Sequence, residues 1–348
     1  MATELPLDVQ IIVIEWVFRS SQHRAAPSID YPTLHACALV CRAWTPVAQR
    51  LLYRRIRCTH LQHPHCDIEL LVRALCARPH LAAHVRSIAV AWPSHPRVYA
   101  SLCLRLLELC RHVEGISFCE SVSNNKALTA ASDARMRAIR LRPVVLEVVG
   151  LRARIGRTIV RMFPSARTIV LSRGYEDPLP AASEALEILA DCTPFCLSHA
   201  RPLPVLRYLC LIHPYWEDKA LQEHIISTGL LPQLQSLQIK GEFPPTEVLE
   251  HLVQLRTLVV DHLPVNSVTL LPSLRHVGYH TRGELAETTE LAVDPLRSLP
   301  ELQRVTATRC GNAHVLAALE AMCRARGVDF GVYEAPEHVQ QPQDIDWI

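Results

Sequence analysis

The residues best equipped for chemistry in this chain are its 13 cysteines and 18 histidines, and they gather most densely in CTHLQHPHC, residues 58–66. Cys58, His60, His63, His65 and Cys66 are zinc-compatible ligand types. A structural zinc site, however, needs four ligands converging tetrahedrally from paired spacings. Here no pairing pattern exists, and adjacent His65 and Cys66 are poorly placed to share an ion. The stretch reads as a polar loop, and neither a metal nor a cofactor is expected. CTPFC (192–196) spaces Cys192 and Cys196 by three residues but has no second pair. It reads as a helix end with buried thiols. Most other cysteines fall inside apolar periodic segments, as Cys76 does in LLVRALCARP and Cys110 in LLELC, where a thiol acts as a small hydrophobe. Cys41, in LVCRAWTPVAQRLLYRRI (39–56), has no His or Asp placed by the pattern to activate it. With 11 glycines there is no phosphate-cradling loop, and none of the P-loop, dinucleotide-binding or hydrolase-elbow motifs occurs. The chain is therefore expected to be no enzyme and to take no small-molecule substrate.

Charge excludes further classes. Lys and Arg number 36 against 34 Asp and Glu, for a net charge of +2. That balance does not fit a nucleic acid or a membrane surface as main partner. The basic run RMRAIRLRP (135–143) lacks interleaved aromatics on which bases would stack, and reads as the solvated face of a helix. No apolar run approaches the roughly 18 residues needed to span a bilayer. The opening MATELPLD has no basic region of a signal peptide. Thiols with no framework of pairs imply a reducing compartment, so the cytoplasm or nucleus is expected.

The elements that would carry any function divide into two kinds. LPLDVQIIVIEWVF (5–18) has a helical stripe of Val9, Ile12, Val13, Trp16 and Val17, and a second apolar face of Ile11, Ile14 and Phe18. A helix apolar on two faces in a short segment needs a second partner. After the insertion SSQHRAAPSIDYP (20–32), Leu34, Cys37, Ala38 and Cys41 form another stripe. Thr45 and Pro46 mark a helix restart, cap then first turn, with Val47, Ala48, Leu51 and Leu52 on its apolar face. Trp44 and Cys41 look like the packing centre of this three-helix unit. The arginines Arg50, Arg54 and Arg55 rim it or lead onward.

These words in this order resemble the F-box of fungal proteins. Leu5 and Pro6, then Ile11, Ile14 and Val17, then Leu39, Val40, Cys41, Arg42 and Trp44, then Ala48, Leu51, Tyr53 and Ile56 carry the match. The departures are Asp8, where the family often has Glu, and the long first loop. The resemblance implies docking onto the Skp-family linker of a cullin-based SCF ubiquitin ligase. It assigns that contact to Leu5, Pro6, Ile11, Ile14, Leu39, Val40, Leu51, Leu52 and Tyr53.

Beyond residue 80 one phrase recurs, Leu-Pro-x-Leu-x-x-Leu. It appears in HLAAHVRSIAV, FPSARTIVL, LPVLRYLCL, LPQLQSLQI, LVQLRTLVV, LPSLRHVGY and LPELQRVTA, more weakly in HVEGISF and RPVVLEVVG. Its anchors are Val85, Val113, Val145, Ala166, Leu206, Leu234, Leu255, Leu274 and Leu302. Most gaps lie near the roughly 20–29-residue period of leucine-rich repeats, with one about twice as long between Ala166 and Leu206. Helical patterns fall between, at 68–79, 184–192 and 312–327, with a final strand VDFGVY (328–333). One strand and one helix per unit, neither able to bury its own apolar face, implies a stacked α/β solenoid. This resembles the irregular leucine-rich repeats that often follow an F-box.

The expected fold class is thus α/β: a three-helix F-box module (1–57), a horseshoe-like solenoid of parallel strands with helices outside (58–333), and a loosely ordered tail (334–348). A doubly wound sheet is the alternative, and it requires all-apolar central strands. Residues alternating with the buried leucines would line a concave face. The expected target-binding set is Tyr208, Gln238, Lys240, Asp261, His276, His280 and Arg304, joined by Tyr215 and Trp216 as exposed aromatic anchors. The function this implies is a substrate receptor that links a protein target to an SCF ligase through the linker and its cullin. The alternative is a repeat scaffold acting outside any ligase. The target itself is not legible.

Overall fold

The computed structural model describes residues 9, 11–14, 31–58, 64–92, 96–120, 135, 138–139, 141–149, 153–172, 179, 185–197, 203–212, 214, 216–279, 289–308 and 313–333. They belong to two compact units, one within residues 1–151 and one within 152–335.

Unit 1 begins with helices. Val9 and Ile11–Ile14 are helical, followed by helices Tyr31–Val40 and Thr45–Arg54. Ile14, Leu34 and Leu51 are fully buried together, with Cys37, Trp44, Val47 and Leu52 packed around them. The apolar periodicity therefore does close a small helical core. Two details differ from expectation. Cys41 is exposed, because the chain leaves the helix at Val40 and turns there. Thr45 does not cap the next helix through its side chain. Its hydroxyl reaches back to the Ala38 carbonyl at 2.8 Å and the Cys41 carbonyl at 3.1 Å, bonding the turn to the preceding helix.

The helix stops at Arg54, and strand β1 (Arg55–Cys58) starts at once. Arg55 and Arg57 alternate with buried Ile56 and Cys58, a period-2 pattern the helical reading had absorbed. A boundary at residue 57 would cut this strand. β1 pairs in parallel with β2 (Ser87–Trp92), β2 with β3 (Gly115–Glu120), and β3 with β4 (Val145–Val149). Ile56, Ile88, Ile116 and Leu146 form one register row, all buried. Parallel pairing requires crossovers, and helices Pro64–Ala77 and Pro96–Leu109 supply two of them. Ile68, Val72 and Leu75 of the first, and Cys103, Leu104, Leu106 and Leu107 of the second, are buried.

Unit 2 continues the plan with β5 (Thr168–Ser172), β6 (Ile188–Cys192), β7 (Tyr208–Ile212), β8 (Ser236–Lys240), β9 (Thr257–Val260), β10 (His276–Tyr279), β11 (Arg304–Thr308) and β12 (Asp329–Tyr333), each parallel to the next. The recurring phrase has a direct physical meaning here. Its anchors Ala166, Leu206, Leu234, Leu255 and Leu274 are wholly buried. The residue after each of Leu206, Leu234, Leu255 and Leu274 donates its N–H to the equivalent carbonyl one repeat earlier. Arg207 bonds Glu187 at 2.9 Å, Gln235 bonds Arg207 at 2.9 Å, Arg256 bonds Gln235 at 2.9 Å and Arg275 bonds Arg256 at 2.8 Å. Helix Ala313–Arg326 ends at Gly327, whose φ of 68 lets Val328 N–H reach the Cys323 carbonyl at 2.9 Å. Asn312, at the start of the helical pattern 312–327, lies outside the described residues.

One expected helix is a strand. Within EALEILADC, Ile188–Cys192 form β6, paired between β5 and β7. Leu186, fully buried, is the anchor that fills the doubled gap between Ala166 and Leu206. The spacing Leu186–Leu189–Ala190 satisfies a helical stripe, but two neighbouring strands leave ladder groups that a strand alone satisfies. The CTPFC stretch is accordingly a strand end and a 3₁₀ turn (Pro194–Leu197), not a helix end, though Cys192 and Cys196 are both buried.

The fold class is α/β with parallel strands in both units. Strand order follows sequence order throughout each unit, whereas a doubly wound sheet reverses order at a switch point. Sequential parallel order is what a stacked α/β repeat requires. Among the described residues no helix is long and apolar enough to cross a membrane.

Candidate functional site

The residues assigned to partner docking separate sharply. Leu39 and Val40 are 73% and 63% exposed, and Ile12, which the resemblance did not single out, is 64% exposed. Ile11, Leu52 and Tyr53 are half-buried. Ile14 and Leu51, expected to face the partner, instead close the helical core at 1% and 2% exposure. The reason is geometric: each sits where a helix faces the other two, so it supports the surface and does not form it. Leu5 and Pro6 lie outside the described residues.

Of the residues expected to bind a target, Tyr208, Gln238, Lys240, His276 and Arg304 lie on the strand face of unit 2 opposite the buried leucines. Register puts Tyr208, Ser236, Thr257, His276 and Arg304 in one row and Cys210, Gln238, Val259, Gly278 and Thr306 in the next. Four of these side chains spend their polar groups on one another. The Tyr208 hydroxyl donates to Gln238 Oε1 at 2.7 Å, and burial raises the phenol well above its ordinary pKa. His276 Nε2 meets Thr306 Oγ1 at 3.0 Å, and burial, aided by the Arg304 charge, pushes the imidazole down to about 4. It is neutral at physiological pH. Arg304 faces Asp329 at 3.4 Å. Asp261 Oδ2 accepts the Gly241 N–H at 3.0 Å, fixing the turn after β8. His280 and Tyr215 lie outside the described residues.

Trp216 is not an exposed anchor. It is 7% exposed, and its Nε1 donates to the Glu242 carbonyl at 2.9 Å. An indole in a loop beside stacked strands buries more area by covering the stack than by meeting solvent.

Sequence reasoning missed Asp191. Between β6 and β7 the register slips: Leu189 faces Leu209, but Cys192 faces Leu211. The extra residue makes a bulge, and Asp191 has a φ of 54, the left-handed region that only a few non-glycine residues tolerate. The bulge turns a carboxylate into the packed face, where it is 7% exposed. Lys240 Nζ reaches it from β8 at 2.6 Å, and the Cys210 thiol points to it at 3.4 Å. Cys210 is buried with Val170, Ala190 and Tyr208, and burial lifts its thiol to about 12. A protonated thiol beside a carboxylate already neutralised by lysine is not an activated nucleophile. The signal in the sequence was an acid where a strand phrase should continue with an apolar residue.

The other chemistry-bearing stretches stay apart. Cys58 is buried in β1, and His65 and Cys66 begin a helix. His60 and His63 lie outside the described residues, among which no cluster fit to hold a metal occurs. Arg135, from the basic run, is partly exposed, with 38% of its side chain open to solvent, and clasps Glu108 at 2.7 and 3.0 Å.

The sequence matches no protein-family model and no curated protein.

Proposed function

We propose that this chain is a substrate-receptor subunit of an SCF-type ubiquitin ligase. In this reading the N-terminal helices dock on a Skp-family linker, and through it a cullin, while the strand face of the repeats receives a protein target. The chain contributes no reacting group; it raises the target's effective concentration near a ubiquitin-charged enzyme.

The observation that carries the reading is the exposure of Leu39, Val40 and Ile12 on helices whose other faces already close a core. Large apolar side chains held outward on ordered helices incur a hydration cost that a partner removes, about 1.5–3 kcal/mol for each one fully buried. The Leu-Pro and Val-Cys-Arg-x-Trp words add the resemblance.

The test is co-purification of the full chain with a Skp-type linker. Leu39→Asp with Val40→Asp should abolish the complex while leaving the urea midpoint within experimental error, since neither side chain is part of the core. Leu5→Ala with Pro6→Ala should release the linker as well. A linker that stays bound to both double variants sinks the docking reading. A linker that binds without any change in ubiquitylation of captured proteins favours the scaffold alternative.

A further inference from the structure

Unit 1 has a groove that the sequence reading did not assign. On the face opposite Ile56, Ile88, Ile116 and Leu146, two register rows lie side by side. One is Arg55–Ser87–Gly115–Val145; the other is Arg57–Ala89–Ser117–Glu147. Together they line a half-open depression. Among the described residues its floor, on the two middle strands, is lined by Ser87, Ala89, Gly115, Ile116 and Ser117, of which only Ile116 is large and belongs to the buried row. Its walls are the two arginines of β1 and, three strands away, Val145 and Glu147 of β4. At about 4.8 Å per strand the walls stand roughly 14 Å apart.

We infer that this groove binds an extended peptide segment carrying two acidic residues flanking a hydrogen-bond donor or base, an acid–donor–acid sequence. The spacing argument is direct. Arg55 and Arg57 are two residues apart on one strand, about 6.6 Å. An extended ligand lying along the groove directs residues j and j+2 to one side and j+1 to the other. Carboxylates at j and j+2 therefore meet Arg55 and Arg57, and residue j+1 faces Glu147. Guanidinium–carboxylate pairs are charge-assisted and geometrically selective. The small floor residues let a backbone approach the sheet where larger side chains would hold it off. A half-open trough suits a chain running through it better than a small molecule, which needs most of its surface enclosed.

The inference deepens the receptor reading by naming the chemistry of what is received. It depends on that reading for its consequence in the cell, and a chain that fails to bind the linker would still bind the peptide. The experiment is selection of a displayed random nonapeptide library on immobilised full-length protein, with affinities of the recovered peptides measured by fluorescence anisotropy. Wild type should enrich acid–x–acid peptides with Lys, Arg, Asn or Gln between, bound at least ~10-fold tighter than versions with both acids changed to Gln. Arg57→Glu should remove that preference, Ala89→Trp should block binding by filling the floor, and Arg57→Glu with Glu147→Lys should select acid–acid–base peptides, because Arg55 still takes one carboxylate. Enrichment no better than on the bare support would overturn the inference. So would an acidic preference that survives both Arg57→Glu and Ala89→Trp in variants with an unchanged urea midpoint. Binding of a fluorescein-labelled oligouridine that Arg57→Glu removes, without peptide enrichment, would overturn it in favour of a phosphate ligand.

Discussion

The row Arg57–Ala89–Ser117–Glu147 in unit 1 and the row Cys210–Gln238–Val259–Gly278–Thr306 in unit 2 occupy the same place in the repeat plan, on the face away from the leucines. In unit 1 the middle of the row is small and its ends carry opposite charge. In unit 2 the row is plugged. A methyl added at Gly278 would stand 3.0 Å from Val259 Cγ2 and 3.1 Å from Thr306 Oγ1. Lys240 reaches across β7 to Asp191, and Tyr208 is tied to Gln238. The lesson is that alternation identifies which residues leave the core but not whether they remain available. A polar stripe that satisfies itself stabilises the sheet; a stripe of small residues between charges leaves recognition open.

Four expected outcomes break or sharpen this contrast, in order of size. Asp191→Ala strands Lys240 beside the buried Cys210 face and should cost about 3–5 kcal/mol in urea unfolding. Asp191→Asn with Lys240→Met should recover much of that loss, because no buried charge is left alone. A loss under ~1 kcal/mol for Asp191→Ala would mean the face of unit 2 is not held by this pair. Next comes acid. His276 has a folded pKa near 4, below its value near 6.5 in an unfolded chain. Above pH 6.5 both states are neutral and the full stability is present. As pH falls from 6.5 towards 4 the unfolded state takes the proton first, so stability drops by about 2–3 kcal/mol. His276→Gln should flatten that acid limb, measured as urea midpoints from pH 7 to 4. Gly278→Ala should cost about 1–2 kcal/mol by overpacking, seen as a lowered thermal midpoint. Smallest, Ala89→Leu in the open row of unit 1 should shift stability by no more than about 0.5 kcal/mol. A cost there as large as that of Gly278→Ala would show the groove to be as tightly filled as its counterpart.

Ser236 adds a point in the same direction. Its Oγ is buried without a hydrogen-bond partner among the described residues. A face packed tightly enough to strand a hydroxyl is committed to its own interior.

Much of the architecture was legible. The anchors Val85, Val113, Ala166, Leu206, Leu234, Leu255, Leu274 and Leu302 mark β2, β3, β5, β7, β8, β9, β10 and β11, because an apolar residue two positions before a short alternating run has the same job in each repeat; Val145 is instead the first residue of β4 itself. β1 and β6 were not found, for a shared reason. RIRC and ILADC are short, and each follows residues that also fit a helical stripe, so local periodicity favours the wrong element until neighbouring strands demand ladder partners. Of the candidate sites, Leu39 and Val40 were singled out by the resemblance alone, and the structure leaves both exposed. Ile14 and Leu51 look the same in sequence, and only the crossing of the helices buries them. Trp216 was read outward because loop position does not reveal that Glu242 offers it a carbonyl.

The sequence by itself determined the repeat: which residues face the leucine core, where most of the strands begin, and that parallel strands follow one another in chain order. These follow from period and spacing, which are properties of neighbours along the chain. Tertiary structure alone decided what the opposite face is for. Whether Cys210 meets solvent or a carboxylate depends on one extra residue in β6, and whether Arg57 and Glu147 confront each other across an open floor depends on the residues two other strands bring between them. Those are relations between residues far apart in sequence, fixed only when the strands align.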